Sequence, residues 1–216
     1  MKIIYYDKNI IVAVKPAGVI STDEPGGMPS LLREALGDEN ADIRTVHRLD
    51  QVVSGLMVFA QNAETASELS RQIRCGEFEK TYIAVVRGVP EERKGRMEDI
   101  LLRSKEQRKT FVVNKPCRGS QEAILDYELL SSNGELSMVK IDLITGRTHQ
   151  IRAQFTHRRM PLVGDRKYGG RDDGCNIALW SYCLGFTNPS TGRPISLKVK
   201  PPKEYPWTEF SLAVYP

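Results

Sequence analysis

Short apolar runs rich in β-branched residues recur along the first half of the chain. Ile3 to Tyr6 and Ile10 to Lys15 are two such runs, and the turn-forming segment Asp7-Lys8-Asn9 separates them. This is the pattern of a β-hairpin. Leu56 to Ala60 is a short unbroken apolar run, typical of a buried strand, and Lys80 to Val86 has a strand's period of two. The opening half therefore predicts a β-sheet.

Capping residues predict three helices, and a glycine ends each of the first two. Ser, Thr and Asn side chains can accept a hydrogen bond from the first turn of a helix, and glycine can adopt the left-handed conformation that ends one. We expect helices from the cap Ser30 to Gly37, from the cap Asn62 to Gly76, and from the cap Thr148 to about His157.

The second half of the chain continues with strands and one polar excursion. Gln121 to Leu130 and Leu136 to Ile144 flank Asn133-Gly134, a strong hairpin signal. Met97 to Arg118 is polar and basic and predicts an exposed, partly β excursion that could grip nucleic acid. Further strands are expected over Trp180 to Phe186 and Ile195 to Val199. The fold class is α+β, with a mixed, largely antiparallel sheet and peripheral helices.

One charged segment interrupts the pattern immediately before the apolar Leu56 strand. His47-Arg48-Leu49-Asp50 is too polar for a core element, so Asp50 should lie on a loop at the mouth of that strand. Catalytic side chains are commonly placed there. The alternative is that these residues only solvate a surface loop.

Composition limits the classes of protein to which the chain can belong. The 216 residues include 31 Lys+Arg and 27 Asp+Glu, a formal charge of +4 that permits a polyanionic partner. Four cysteines without CxxC spacing disfavour a zinc site or a disulfide framework. The N-terminus has no signal-peptide pattern, and no apolar stretch is long enough to span a membrane. We expect a cytoplasmic protein that does not act at a membrane.

Three motifs, in order, resemble the RluA-type family of pseudouridine synthases. They are His-Arg-Leu-Asp followed by Ser-Gly at residues 47–55, Lys-x-Tyr-x-Ala-x-Val-x-Gly at residues 80–88, and Gly-Arg-Thr-His-Gln-Ile-Arg at residues 146–152. The chain departs from the family at Met160, where histidine is common, and at Leu179-Trp180-Ser181, where Leu-His-Ala is typical. The resemblance covers about Tyr5 to Pro202 and leaves no room for a separate N-terminal RNA-binding module.

The resemblance implies specific roles. Asp50 would be the catalytic carboxylate, Tyr82 the active-site tyrosine and Arg152 the ion-pair partner of Asp50, while Arg48 would fill the space left by an extruded uridine. The further residues expected to bind RNA are His47, Lys80, Lys109, Arg147 and His149. The fold would have a catalytic cleft between two sub-lobes, within a single catalytic domain over residues 1–216.

The implied reaction converts a uridine of ribosomal or transfer RNA to pseudouridine by a monomeric enzyme without metal or nucleotide cofactor. Asp50 could attack C1′ or remove the C2′ proton, and the sequence does not choose between these routes. Two rivals stay open: a non-catalytic RNA-binding or folding-helper protein, and a metal-dependent hydrolase built on His47 and Asp50.

Overall fold

The computed structural model describes residues 1–216, with every side chain except that of Leu212. The chain divides into two compact units whose segments alternate along the sequence. Unit 1 comprises residues 1–80 and 180–199, and unit 2 comprises residues 81–179 and 200–216. A single catalytic domain over the whole chain stays a prediction.

The elements follow one another in a largely β order. The strands are β1 (Lys2–Tyr6), β2 (Ile10–Lys15), β3 (Arg44–Thr45), β4 (Ser54–Ala60), β5 (Glu79–Arg87), β6 (Lys94–Ser104), β7 (Lys109–Val113), β8 (Ser120–Ser132), β9 (Leu136–Leu143), β10 (Leu179–Thr187) and β11 (Pro194–Lys198). The helices are α1 (Met28–Leu36), α2 (Ala63–Cys75) and α3 (Gln150–His157), followed by short 3-10 turns at Trp207–Glu209 and Leu212–Val214.

In unit 1 the strand order is β1-β2-β4-β10, with β3 paired to β4 and β11 paired to β10. All of these pairings are antiparallel except that between β4 and β10, which run parallel at Ser54 and Trp180. Strands β2 and β4 are buried along almost their whole length. A strand buried on both faces reads as a continuous apolar run, which explains the pattern at residues 56–60.

Two predicted helices of unit 1 end where glycine adopts a left-handed conformation. Gly37 (φ +68°) ends α1 and Gly76 (φ +73°) ends α2, and Asn62 caps α2 through a bond from the Thr65 N–H. The predicted start of α1 was wrong: the helix begins at Met28 after Gly27, and Ser30 lies within its first turn. The reason is Pro29, whose fixed φ and missing N–H suit the first turn of a helix.

In unit 2 the strands are all antiparallel, in the order β5-β9-β8-β6-β7. The Asn133-Gly134 turn joins β8 to β9 as predicted: Asn133 Oδ1 accepts from the Leu136 N–H at 2.8 Å. The basic excursion is a regular hairpin of β6 and β7, with its tip at residues 105–108. The apolar cluster of Leu101, Ala123 and Ala153 lies between this hairpin and α3.

Helix α3 begins differently from the prediction. Its N-cap is His149, in a left-handed conformation (φ +54°) and without a side-chain capping bond, so the prediction of Thr148 as the cap was wrong. Gln150 instead fixes the turn that precedes the helix, because its Oε1 accepts from the Arg147 N–H at 3.0 Å and from the Thr145 hydroxyl at 2.8 Å. The mixed, largely antiparallel α+β class with three helices is confirmed.

Candidate active site

Asp50 lies on the loop between β3 and β4, where the sequence predicted it. The Val53 N–H donates to the Asp50 carbonyl at 3.0 Å and closes a turn that leads into β4. The residue before Asp50 is anchored by Ser21, whose hydroxyl donates to the Leu49 carbonyl at 2.8 Å and accepts from the Leu49 N–H at 3.1 Å. The backbone on both sides of the half-buried carboxylate is therefore fixed.

A completely buried lysine, Lys15, ties this loop to the end of β2. Its ammonium donates to three carbonyl oxygens, those of Pro16 (2.9 Å), Val19 (2.6 Å) and Gln51 (2.9 Å). Burial lowers the pKa of Lys15 to about 8, and the nearby negative charge of Asp50 opposes that fall. All three N–H groups of the ammonium therefore have a carbonyl acceptor. The cation both orients the Asp50 loop and adds positive charge beside it.

His47 has a structural contact in unit 1. Its Nε2 accepts a hydrogen bond from the Val58 N–H at 3.1 Å, and its ring lies 5.8 Å from that of Phe78. Burial, and then the positive charge of Lys80, lowers the pKa of His47 to about 3. The ring is therefore neutral at pH 7 with its proton on Nδ1. Its binding to RNA stays a prediction.

In unit 2, the predicted pair residue Arg152 makes a bidentate ion pair with Asp165. Arg152 Nε donates to Asp165 Oδ2 at 2.7 Å, and Nη2 donates to Oδ1 at 2.8 Å. Arg152 is 4% exposed and Asp165 2%, so the pair is excluded from water. Asp50 lies in unit 1 and Arg152 in unit 2, and the ion pair between them stays a prediction.

Tyr168 connects Arg152 with other predicted site residues. Its ring centroid lies 4.9 Å from the Arg152 guanidinium carbon and 5.6 Å from the Lys109 ammonium. Its hydroxyl accepts from the Thr110 N–H at 2.7 Å and lies 2.9 Å from His149 Nδ1. Burial raises the pKa of the Tyr168 hydroxyl, so it stays protonated. Lys109, His149 and Arg152 are thus brought together around one ring.

The remaining predicted residues are spread over both units. Tyr82 is 6% exposed on β5, opposite Ile141 of β9. Arg48 is exposed, and Lys80 is half-buried with a pKa lowered by burial; among the described residues neither side chain has a hydrogen-bond or ion-pair partner. Arg147 Nε donates to the Glu122 carbonyl at 2.8 Å.

Comparison with known proteins decides the family. A family model described as RNA pseudouridylate synthase matches residues 9–157. The chain belongs to the RNA pseudouridylate synthase family. The sequence of this synthase contains the three RluA-type motifs in the expected order. Membership of the family makes the protein an isomerase that acts on RNA.

Named relatives of the synthase modify different classes of RNA. Ribosomal large subunit pseudouridine synthase D of Borreliella burgdorferi is 36% identical over 84% of this chain, which covers 60% of that protein. tRNA pseudouridine synthase C of Haemophilus ducreyi is 31% identical over 91% of this chain and 89% of its own length. An uncharacterized RNA pseudouridine synthase of Aquifex aeolicus is 31% identical over 97% of this chain and 73% of its own length.

Two solved human structures share the fold of the synthase. RNA pseudouridylate synthase domain containing 4 superposes with a TM-score of 0.78 at 23% identity, covering 94% of this chain and 89% of that chain. Domain containing 1 gives 0.79 at 24% identity, covering 93% and 83%. At these identities the likeness shows the fold alone.

Three site-shaping residues of the synthase were not predicted from its sequence: Lys15, Asp165 and Tyr168. Lys15 did carry a signal, because a lysine at the end of a buried apolar strand must find acceptors. Nothing in the 13-residue spacing of Arg152 and Asp165 indicated their contact. Among the described residues, no group of three His, Cys, Asp or Glu side chains has a metal-binding arrangement. Within the same range, no helix is long and apolar enough to cross a bilayer.

Proposed function

We propose that the chain isomerises a specific uridine of ribosomal or transfer RNA to pseudouridine with Asp50 as the catalytic carboxylate. The observation that carries the proposal is the fixation of the Asp50 loop. Lys15 binds Gln51, the next residue along, and Ser21 binds Leu49, the preceding one. A carboxylate held by such supporting bonds is preorganised for a reaction in which its position decides the rate.

The reaction breaks the C1′–N1 bond and forms a C5–C1′ bond, after which C5 loses its proton and N1 gains one. No electron is gained or lost, so a redox cofactor is unnecessary. Asp50 can attack C1′ to form a glycosyl ester, or it can remove the C2′ proton to give a glycal. Both routes require the ionised form of Asp50, and the Lys15 ammonium places a positive charge near it.

Arg152 and Tyr82 complete the proposed catalytic set. Arg152 would direct N–H groups at the Asp50 carboxylate, and Tyr82 would stack on the uracil. Asp165 uses Nε and one N–H of Nη2. A guanidinium has five N–H donors, so a second carboxylate can be served through Nη1 and the other N–H of Nη2.

Arg48 and Lys80 are the strongest candidates for holding the RNA itself. Both side chains are cationic and lack an acidic partner among the described residues. Lys80 is also half-buried, so its ammonium gains from a phosphate oxygen that replaces lost water. Arg48 would occupy the gap in the base stack when the uridine is extruded, which costs a few kcal/mol.

The substrate is proposed to be a loop uridine, because single-stranded loops expose base edges and lower the cost of extrusion. The named relatives act on ribosomal and on transfer RNA, so either can supply the loop. We further propose that the enzyme works in the cytoplasm as a monomer without a metal or nucleotide cofactor.

Release of tritium from RNA labelled at uridine C5 tests the proposed function. Wild-type protein should release tritium, because C5 exchanges its hydrogen for a bond to C1′. Asp50→Ala should abolish release and leave RNA affinity within about threefold. Asp42→Ala is the matched control: Asp42 is exposed and forms a surface ion pair with Arg44, so release should be unchanged. Release by Asp50→Ala at the wild-type rate would refute the assignment.

A further inference from the structure

The guanidinium of Arg152 is held by more than one contact. The Asp165 carboxylate accepts two N–H···O bonds, of 2.7 and 2.8 Å, from one edge of the Arg152 guanidinium. The ring of Tyr168 lies against the same group, 4.9 Å from its central carbon. A bidentate carboxylate fixes the plane of a guanidinium and the direction of its remaining N–H groups.

Asp165 is itself fixed from the backbone side. Its Oδ1 accepts from the Lys167 N–H at 3.2 Å and from the Tyr168 N–H at 3.1 Å, besides the bond from Arg152. Its own N–H donates to the Leu162 carbonyl at 3.2 Å. The 2% exposed carboxylate therefore has four N–H donors and cannot swing away from Arg152 without losing several of them.

The charge of the pair is as important as its geometry. Asp165 and Arg152 are both buried, and together they carry no net charge. A guanidinium neutralised in this way stabilises another carboxylate mainly through directed N–H bonds, and much less through an unbalanced positive charge. The sequence alone predicts Arg152 as a simple ion-pair partner of Asp50, whereas this geometry makes the direction of its N–H groups decisive.

We infer that Asp165 is a positioning residue of the synthase reaction, which orients Arg152 toward the catalytic carboxylate and balances its charge. The inference rests on the proposed function, in which Arg152 meets Asp50. Asp165 is 2% exposed and binds Arg152 directly, and no contact with the uridine is proposed for it. Its effect on turnover must therefore pass through Arg152, and this dependence can be tested.

A double-mutant cycle with tritium release is the test. Asp165→Asn keeps the shape of the side chain but removes its charge and one strong acceptor. We expect kcat to fall at least tenfold while KM for the RNA stays within twofold. In the Arg152→Met background, Asp165→Asn should cause no further fall in kcat, because neighbouring residues that act as one unit are not additive. Equal losses in both backgrounds, or an unchanged kcat, would overturn the inference.

The pH profile separates positioning from simple stabilisation. Asp165→Asn leaves the charge of Arg152 unbalanced, and the additional positive charge opposes protonation of the site. The acid limb of kcat should therefore move to lower pH in this variant. A residue that only supports the fold would lower the melting temperature and leave the acid limb in place. That result would contradict the inference.

Two further variants cover the remaining outcomes. If Asp165→Asn does not fold, Asp165→Glu keeps the charge and displaces the carboxylate by one methylene; wild-type kcat in that variant would overturn the inference. Asp172→Asn is the control in the same loop, because Asp172 forms an exposed ion pair with Arg166, and its kcat should be unchanged. Loss of the proposed function itself is distinguishable: wild-type protein would release no tritium, or Asp50→Ala would release it normally.

Discussion

His47 is a neutral acceptor for a strand N–H in this fold, although it belongs to a motif rich in charge. The bond to Val58 ties the segment before Asp50 directly onto β4. Protonation would place a second N–H against the Val58 N–H and a second charge near Lys80. Lys15, in the same unit, is a buried cation that needs hydrogen-bond acceptors, and three backbone carbonyls supply them. Both residues show that the motif depends on supporting bonds as well as on its carboxylate.

Stability should depend on pH through His47. Its pKa is depressed from its ordinary value of 6.5 to about 3 in the folded protein, so the unfolded chain binds more protons between these values. The stabilisation is therefore fully present above pH 6.5 and is lost as pH falls through that window. We expect the melting temperature to fall from pH 7.5 to 5.5, and to fall less in His47→Gln, which keeps an acceptor but does not titrate.

His157→Gln is the matched control for that experiment. His157 is exposed at the end of α3, so this variant should show the same pH dependence as the wild-type protein. An equal pH dependence in His47→Gln and the wild type would contradict the neutral state of His47.

Strands β4 and β10 approach each other closely because Gly55 has no side chain. Its φ is +117°, and a Cβ added there would lie 2.5 Å from both the backbone N and the backbone O of Ser181. Neither backbone atom can move without disturbing the parallel pairing at Ser181 and Gly55. Glycine is thus required for conformation and for space at the beginning of the strand that follows the Asp50 loop.

Gly55→Ala should be strongly destabilising for this reason. Backbone strain and overpacking each cost about 1–3 kcal/mol, so we expect a loss of at least about 2 kcal/mol in the free energy of unfolding, measured in urea. Ser54→Ala, one residue earlier in the strand, should change it by less than about 1 kcal/mol. A Gly55→Ala protein as stable as the wild type would contradict the close approach.

The elements that could be predicted from the sequence were those with a local cause. Gly37 and Gly76 mark helix ends because their left-handed conformation is a property of glycine itself. The cap of α3 was predicted one residue too early, because His149 adopts a left-handed conformation that histidine rarely takes. Asp165 was also not predicted, because its role depends on Arg152, which only folding brings into contact with it. Motifs identify reacting residues, whereas long-range contacts decide what holds them.

At the scale of the whole molecule, the small net charge of +4 conceals a local concentration of cations. The tip of the β6–β7 hairpin and the adjoining end of β6 carry exposed basic side chains that have no acidic partner among the described residues: Arg103, Lys105 and Arg108. Elsewhere many arginines are paired, as Arg71 is with Glu68 and Glu77. Unpaired cations are the ones that can exchange counterions for RNA phosphates.

RNA affinity should therefore depend on this hairpin through salt. Each phosphate contact contributes about 0.7 to the slope of log affinity against log salt for a single strand, so removing three contacts should reduce the slope by about 2. The variant carries Arg103→Ala, Lys105→Ala and Arg108→Ala, and binding is measured by filter retention at several salt concentrations. The control carries Arg44→Ala, Arg71→Ala and Arg96→Ala, three arginines that are each paired with a carboxylate, and should keep the wild-type slope. Equal slopes in the two triple variants would exclude the hairpin from RNA binding.

The alternation of the two units along the chain constrains how the protein is made. The apolar core of unit 1 joins Ile10 and Leu56 to Leu184 and Phe186, which the chain supplies only after residues 81–179. At a synthesis rate of about 5–20 residues per second, roughly 100 intervening residues correspond to about 5–20 s. During that interval a nascent chain on the ribosome exposes a half-finished core, so chaperone contact should be concentrated on its first 80 residues.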